Sequence, residues 1–154
     1  MATVGGGLAV LVASFWLTLK VIDGPQVGRP DLDLAIATNG FVLSDVVVGS
    51  VDDIQRDPSG HLQLRGWAFD KELGRPVAVL LLIGEKFQQI AVTSGPRLDV
   101  TASLKRSPEQ TKDISFVALT DKPANCGPHT VVAVNQNKHL AIIGTDMIVP
   151  RCRP

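Results

Sequence analysis

The chain has 154 residues, enough for one domain of ordinary size and one further element. Lys plus Arg equals Asp plus Glu at 15 each, and the charges are dispersed, which argues against nucleic acid as a partner. Aromatic residues are few (two Trp, five Phe, no Tyr), which weighs against a ligand or carbohydrate surface built on rings.

Residues 4–22 read VGGGLAVLVASFWLTLKVI, and Lys20 is the single charged side chain before Asp23. As a helix this run spans roughly 28 Å at 1.5 Å per residue, close to the hydrocarbon thickness of a bilayer. Its Val, Leu, Ile and Phe side chains favour insertion by roughly 3 to 6 kcal/mol in sum. Lys20 sits near the end, where it snorkels to the headgroups, and Trp16 suits the interfacial aromatic belt. A cleaved secretory signal would need a basic start and a small-x-small site after the apolar run, and neither is present. The expectation is an uncleaved transmembrane anchor over 1–23, in contact with the lipid bilayer.

Gly5, Ala9 and Ala13 recur every four residues, a spacing that lets helix backbones approach closely in a membrane. They predict a packing face for a partner helix, although Gly and Ala are also common in membrane helices generally. By the positive-inside rule Lys20 points the following domain toward the cytoplasm, while the two cysteines point it to an oxidising compartment. The cysteines carry more weight, so the expected location is a bacterial inner membrane with the C-terminal domain periplasmic.

Pro25, Pro30, Gly24 and Gly28 predict an extended stalk, followed by a short strand with Leu32, Leu34 and Ile36 on one face, closed by Asn39-Gly40. The stalk and first strands together occupy 24–47. Thereafter apolar and polar residues alternate at period two. Strands are predicted at 41–48, at 51–56 and 61–69 around the Asp57-Pro58-Ser59-Gly60 turn, at 77–83, at 87–93 and at 114–119. Residues 129–134 and 139–149 form a hairpin across Asn135-Gln136-Asn137. The one helical candidate is a single turn at 100–104 that Asp99 could N-cap. The fold class is therefore all-β, an Ig-like antiparallel β-sandwich over 48–154 with one N-terminal transmembrane helix.

Gly49-x-Val51-Asp52-x-Ile54, Gly66-Trp67-Ala68-x-Asp70, Pro76-Val77 and Arg97-x-Asp99-Val100 occur in that order. This series resembles a β-sandwich module of bacterial envelope and glycan-associated proteins and covers residues 48–150. The resemblance implies a sandwich fold and an accessory role, with no reaction attached. Where such modules carry Gly-Phe before a late strand, this chain has Ser115-Phe116. Gly66 suits a close strand approach, and Trp67 reads as a core anchor whose indole N–H needs an acceptor. Asp70, Arg97 and Asp99 read as a charge cluster fastening a strand-end loop to the helical turn, or as a ligand site.

Cys126 and Cys152 flank the final hairpin, so a disulfide between them is predicted, closing a loop of about 26 residues for roughly 3.5 kcal/mol. The alternative is two unrelated thiols. His61, His129 and His139 show no ligand spacing and read as surface residues, and Asp31-x-Asp33 and Asp52-Asp53 do not extend into a calcium loop. No nucleophile elbow, phosphate loop or dinucleotide fingerprint is present, so no catalytic residue, cofactor or metal is assigned.

Three function classes follow. The first is a non-catalytic accessory subunit of an inner-membrane complex, bioenergetic or photosynthetic, whose partners are other integral membrane proteins met through the helix and the sandwich. The second is a carbohydrate-binding accessory module, which exposed aromatics would favour. The third, an enzyme, needs an acid–base pair that the motifs do not provide, and a small-molecule ligand is not expected.

Overall fold

The computed structural model describes residues 30–125 and 127–147. The predicted anchor with Gly5, Ala9, Ala13, Trp16 and Lys20, the stalk before Pro30, and both Cys126 and Cys152 lie outside these residues. Among the described residues no helix is long and apolar enough to cross a membrane.

The first element is a helix, α1 (Pro30–Asn39), where the sequence reading placed a strand. Alternation put Leu32, Leu34 and Ile36 on one face, but Leu34 is 49% exposed while Ala35 is fully buried. The operative spacing is Leu32, Ala35, Ile36, a helical period. Pro30 begins the helix, where its missing N–H costs nothing, and Asp31 and Asp33 sit in the first turn against the positive helix end. At the other end Gly40 takes φ +64°, its N–H bonds to the Ala37 carbonyl at 3.1 Å, and Phe41 N–H bonds to the Ile36 carbonyl at 3.0 Å. That pair is a Schellman cap, so Asn39-Gly40 terminates a helix and not a strand. Lys138 Nζ adds a hydrogen bond to the Asn39 carbonyl at 3.3 Å.

The strands are β1 (Val42–Leu43), β2 (Val47–Arg56), β3 (Leu62–Asp70), β4 (Ala78–Ile83), β5 (Lys86–Val92), β6 (Ser115–Leu119), β7 (His129–Val134) and β8 (His139–Met147). A second helix, α2 (Leu98–Ser103), lies between β5 and β6. From β3 onward the predicted strands match these bounds closely, whereas the strand expected at 41–48 is reduced to β1, and its last residues join 51–56 in the single continuous strand β2. The chain forms two sheets, one ordered β1-β8-β7-β4-β5 and one ordered β2-β3-β6. All pairings are antiparallel except β1 with β8, where Val42 lies beside His139 in parallel register.

The main core lies between the sheets, with Leu62, Leu64, Val79, Leu81, Val131 and Ala133 fully buried. A second apolar layer on the outer face of the larger sheet joins Leu80, Val132 and Leu140 to Leu32 of α1. Phe41 and Phe87 meet there with centroids 5.6 Å apart. All six residues of β7 are buried, because the core covers one face and α1 the other. Its run VVAV is continuous for that reason, as in any strand covered on both faces. A third layer under α2 joins Phe69, Val100 and Ile114 on the outer face of the smaller sheet.

Candidate functional site

The residues singled out by sequence pattern fall into two separate places. On β3 the inward residues are Leu62, Leu64, Gly66 and Ala68, so parity sends Trp67 outward. Gly66 holds the inward position because a Cβ there would meet the Ser50 carbonyl oxygen and lie 2.7 Å from the Phe116 ring. Trp67 is therefore not the core anchor. It is half-buried beside Phe69 and Val100, and its indole N–H forms no hydrogen bond among the described residues.

Beside Trp67 stands Arg97, the residue before α2. Its Nε and Nη2 donate to the two Asp99 oxygens at 2.8 and 2.6 Å, and Nη1 donates to Asp52 Oδ2 at 2.6 Å. The paired guanidinium hydrogen bonds hold the Asp99 carboxyl at a pKa of about 2, below its ordinary 3.8. The same bonds hold Arg97 above its usual value. Asp99 thus serves Arg97 and does not N-cap α2; that position is Arg97 itself, without a side-chain cap. Asp52 joins through a bulge. Val51 pairs with Gly66 and Asp53 with Arg65, leaving Asp52 as the extra residue, re-aimed toward Arg97.

Asp52, Trp67, Arg97, Asp99, Val100, Ser103 and Leu104 line an open groove of about 310 Å³. The arrangement brings an indole, a guanidinium and two carboxylates to one open groove.

Asp70 is not part of this cluster. It is fully buried at the far end of β3, where Oδ1 accepts the Glu72 and Leu73 N–H groups, both at 2.9 Å, and Oδ2 accepts Asn135 Nδ2 at 2.8 Å. Asn135 Oδ1 in turn accepts the Asn137 and His139 N–H groups. This chain of bonds ties one sheet to the β7–β8 turn of the other. Sequence reading took Asn135 as a turn residue alone; only an amide-rich turn at the level of Asp70 could have signalled the link. Ser115, where the module pattern has Gly, donates its hydroxyl to the Ser94 carbonyl at 2.5 Å and so fastens that corner.

The histidines stay apart. His61 faces Asp57 at 3.4 Å, and His139 is half-buried. His129 is buried, contrary to the surface reading, with Nε2 2.9 Å from the Asn125 carbonyl. No cluster of metal-ligating residues occurs among the described residues.

A larger cleft of about 620 Å³ opens at the end of the sandwich between the β4–β5 turn and residues 120–125 and 127–129. Leu81, Leu82, Ile83 and Phe87 give it apolar walls, and Lys86, Lys122 and His129 give it basic groups. Sequence reading missed it because its two sides lie about 35 residues apart in the chain and no motif links them.

No protein-family model, curated protein or solved structure matches the chain.

Proposed function

We propose that this protein is a membrane-tethered, non-catalytic interaction protein, an accessory subunit of a bacterial inner-membrane complex of the bioenergetic or photosynthetic kind. The supporting observation is the apolar run at 4–22, long enough to span a bilayer, joined to a folded two-sheet body. The body is placed in the periplasm on the strength of the cysteines. Cys126 and Cys152 flank the β7–β8 hairpin in sequence, and a bridge between them would fit an oxidising compartment.

The sandwich itself is read as Ig-like. With β1 set aside, strands one, two and five form one sheet and seven, six, three and four the other. That is the constant-type division with the fourth strand moved to the opposite sheet.

A surface for a protein partner is available on β6. Among the described residues it pairs with β3 alone, and Val117 and Leu119 on its outer face are 66% and 58% exposed. Ala68 N–H bonds to the Ile114 carbonyl and Thr120 N–H to the Leu62 carbonyl, so even-numbered residues of this segment bond inward to β3. Val117 and Leu119 accordingly direct their backbone groups to the open edge.

Mass spectrometry of gently solubilised membranes tests the proposal: the protein should co-purify with other integral membrane proteins. Recovery as a monodisperse, partner-free monomer would defeat it.

A carbohydrate-binding role is the second reading, favoured by the outward Trp67. An indole beside a guanidinium and carboxylates suits a sugar, whose C–H face stacks on a ring while its hydroxyls meet charged groups. Glycan-array binding that disappears in Trp67→Ala supports it; equal binding by that variant rejects it.

A further inference from the structure

We infer that the cleft at the end of the sandwich is a binding site for an organic anion carrying an apolar body, such as an acyl or aryl carboxylate or phosphate. Its volume of about 620 Å³ falls within the range of small-molecule pockets. Its walls are unequal. The β4–β5 side supplies Leu82, Ile83 and Phe87, and Ile83 is 49% exposed although the middle of the same strand, Val79 to Leu81, is buried. An apolar moiety laid there removes surface that the fold alone leaves in water.

The charge is one-sided. Lys86 on β5 and Lys122 on the facing loop line the cleft, and among the described residues no carboxylate does. Glu85 and Asp121, each adjacent in sequence to one of these lysines, do not line it. Neither lysine forms an ion pair among the described residues, whereas Lys71 and Lys112 elsewhere pair with Asp45 and Glu109. Two cations on opposite lips, unneutralised and above an apolar wall, match an anionic head on an apolar body.

On the facing side, residues 120–124 are held by hydrogen bonds. Thr120 Oγ1 donates to the Lys122 carbonyl at 2.9 Å while accepting the Leu62 N–H at 3.0 Å. The Ala124 N–H bonds to the Gly60 carbonyl at 3.0 Å, and Arg56 Nη2 reaches the Ala124 carbonyl at 3.5 Å. The Lys122 backbone is thus anchored to β3, so binding does not have to order the loop first.

Photoaffinity labelling of the full chain in lipid nanodiscs tests this site. The probe is 4-benzoylbenzoate, compared with its neutral amide, with labelled peptides mapped by mass spectrometry. Label is expected on residues 81–88, 120–125 and 127–129, competed by 4-phenylbutyrate and not by 4-phenylbutanol. Removing two solvent-exposed charge contacts in Lys86→Gln/Lys122→Gln should lower labelling about fivefold or more, while Lys112→Gln leaves it unchanged. Circular dichroism confirms that both variants keep the wild-type melting temperature; Lys86 and Lys122 are exposed, so their replacement leaves the core intact. Equal labelling by the neutral amide, undiminished labelling of the double variant, or label confined to residues outside these stretches each overturns the assignment.

Discussion

Asp52 and Arg97 lie 45 residues apart and meet at 2.6 Å because β2 carries one residue more than its partner at that point. Without the bulge, the carboxylate would continue the strand's alternation. With it, the edge of the smaller sheet is fastened to the start of α2, beside the groove that Trp67 lines.

Asp99 should titrate near pH 2 in the folded protein, measured by carboxyl carbon chemical shift. Its folded pKa is depressed, so the associated stability is present above about pH 4 and is lost as the pH falls through about 2. In Arg97→Gln the Asp99 midpoint should return toward 3.8. An unchanged midpoint would show that the ion pair does not form in solution.

Asp70→Ala should destabilise the domain by about 2 to 4 kcal/mol, since it strands two backbone donors and the buried Asn135 amide. Asn135→Ala alone should cost about 1 to 3 kcal/mol. A double-mutant cycle by urea denaturation should give a coupling of about 1 kcal/mol or more between them; a coupling near zero would mean that the two sheets are not joined here.

Gly66→Ala should cost about 1 to 3 kcal/mol by overpacking against Phe116. Adding Phe116→Leu should recover only part of this, because the Ser50 carbonyl oxygen also blocks the new methyl and belongs to the backbone. Full recovery would place the obstruction in the ring alone.

Gly40→Ala should cost about 1 kcal/mol, an effect of conformation and not of space. The nearest atom to a Cβ there is Lys138 Nζ at 3.6 Å, but φ is +64°. Gly40→Asn should cost less. The denaturation midpoint at constant slope reads both.

Alkylation of the unreduced, unfolded chain should modify neither Cys126 nor Cys152, and reduction should expose both while lowering stability by about 3.5 kcal/mol. Two thiols reactive without reductant would remove the main argument for a periplasmic domain.

From β3 to β8 the strands were legible because alternation and turn residues are local properties. Asp57-Pro58-Ser59-Gly60 and Asn135-Gln136-Asn137 set hairpins wherever the flanking runs are apolar. Residues 30–39 misled because Leu32, Leu34 and Ile36 satisfy a two-residue period. The decisive member is Ala35, which small size makes nearly silent in a hydrophobicity pattern although it is wholly buried.

Sequence by itself determined the strands from β3 to β8, the apolar N-terminal run and the residue motifs around Trp67 and Arg97. Tertiary structure decided which of them meet. Trp67 faces outward because Gly66 must face Phe116. Asp70 leaves the cluster because strand length carries it to the opposite sheet's turn. Asp52 enters because one unpaired residue turns its side chain. Spacing along a chain fixes local geometry, whereas pairing register and the burial of facing surfaces are set between segments distant in sequence, and those interactions assembled both the groove and the cleft.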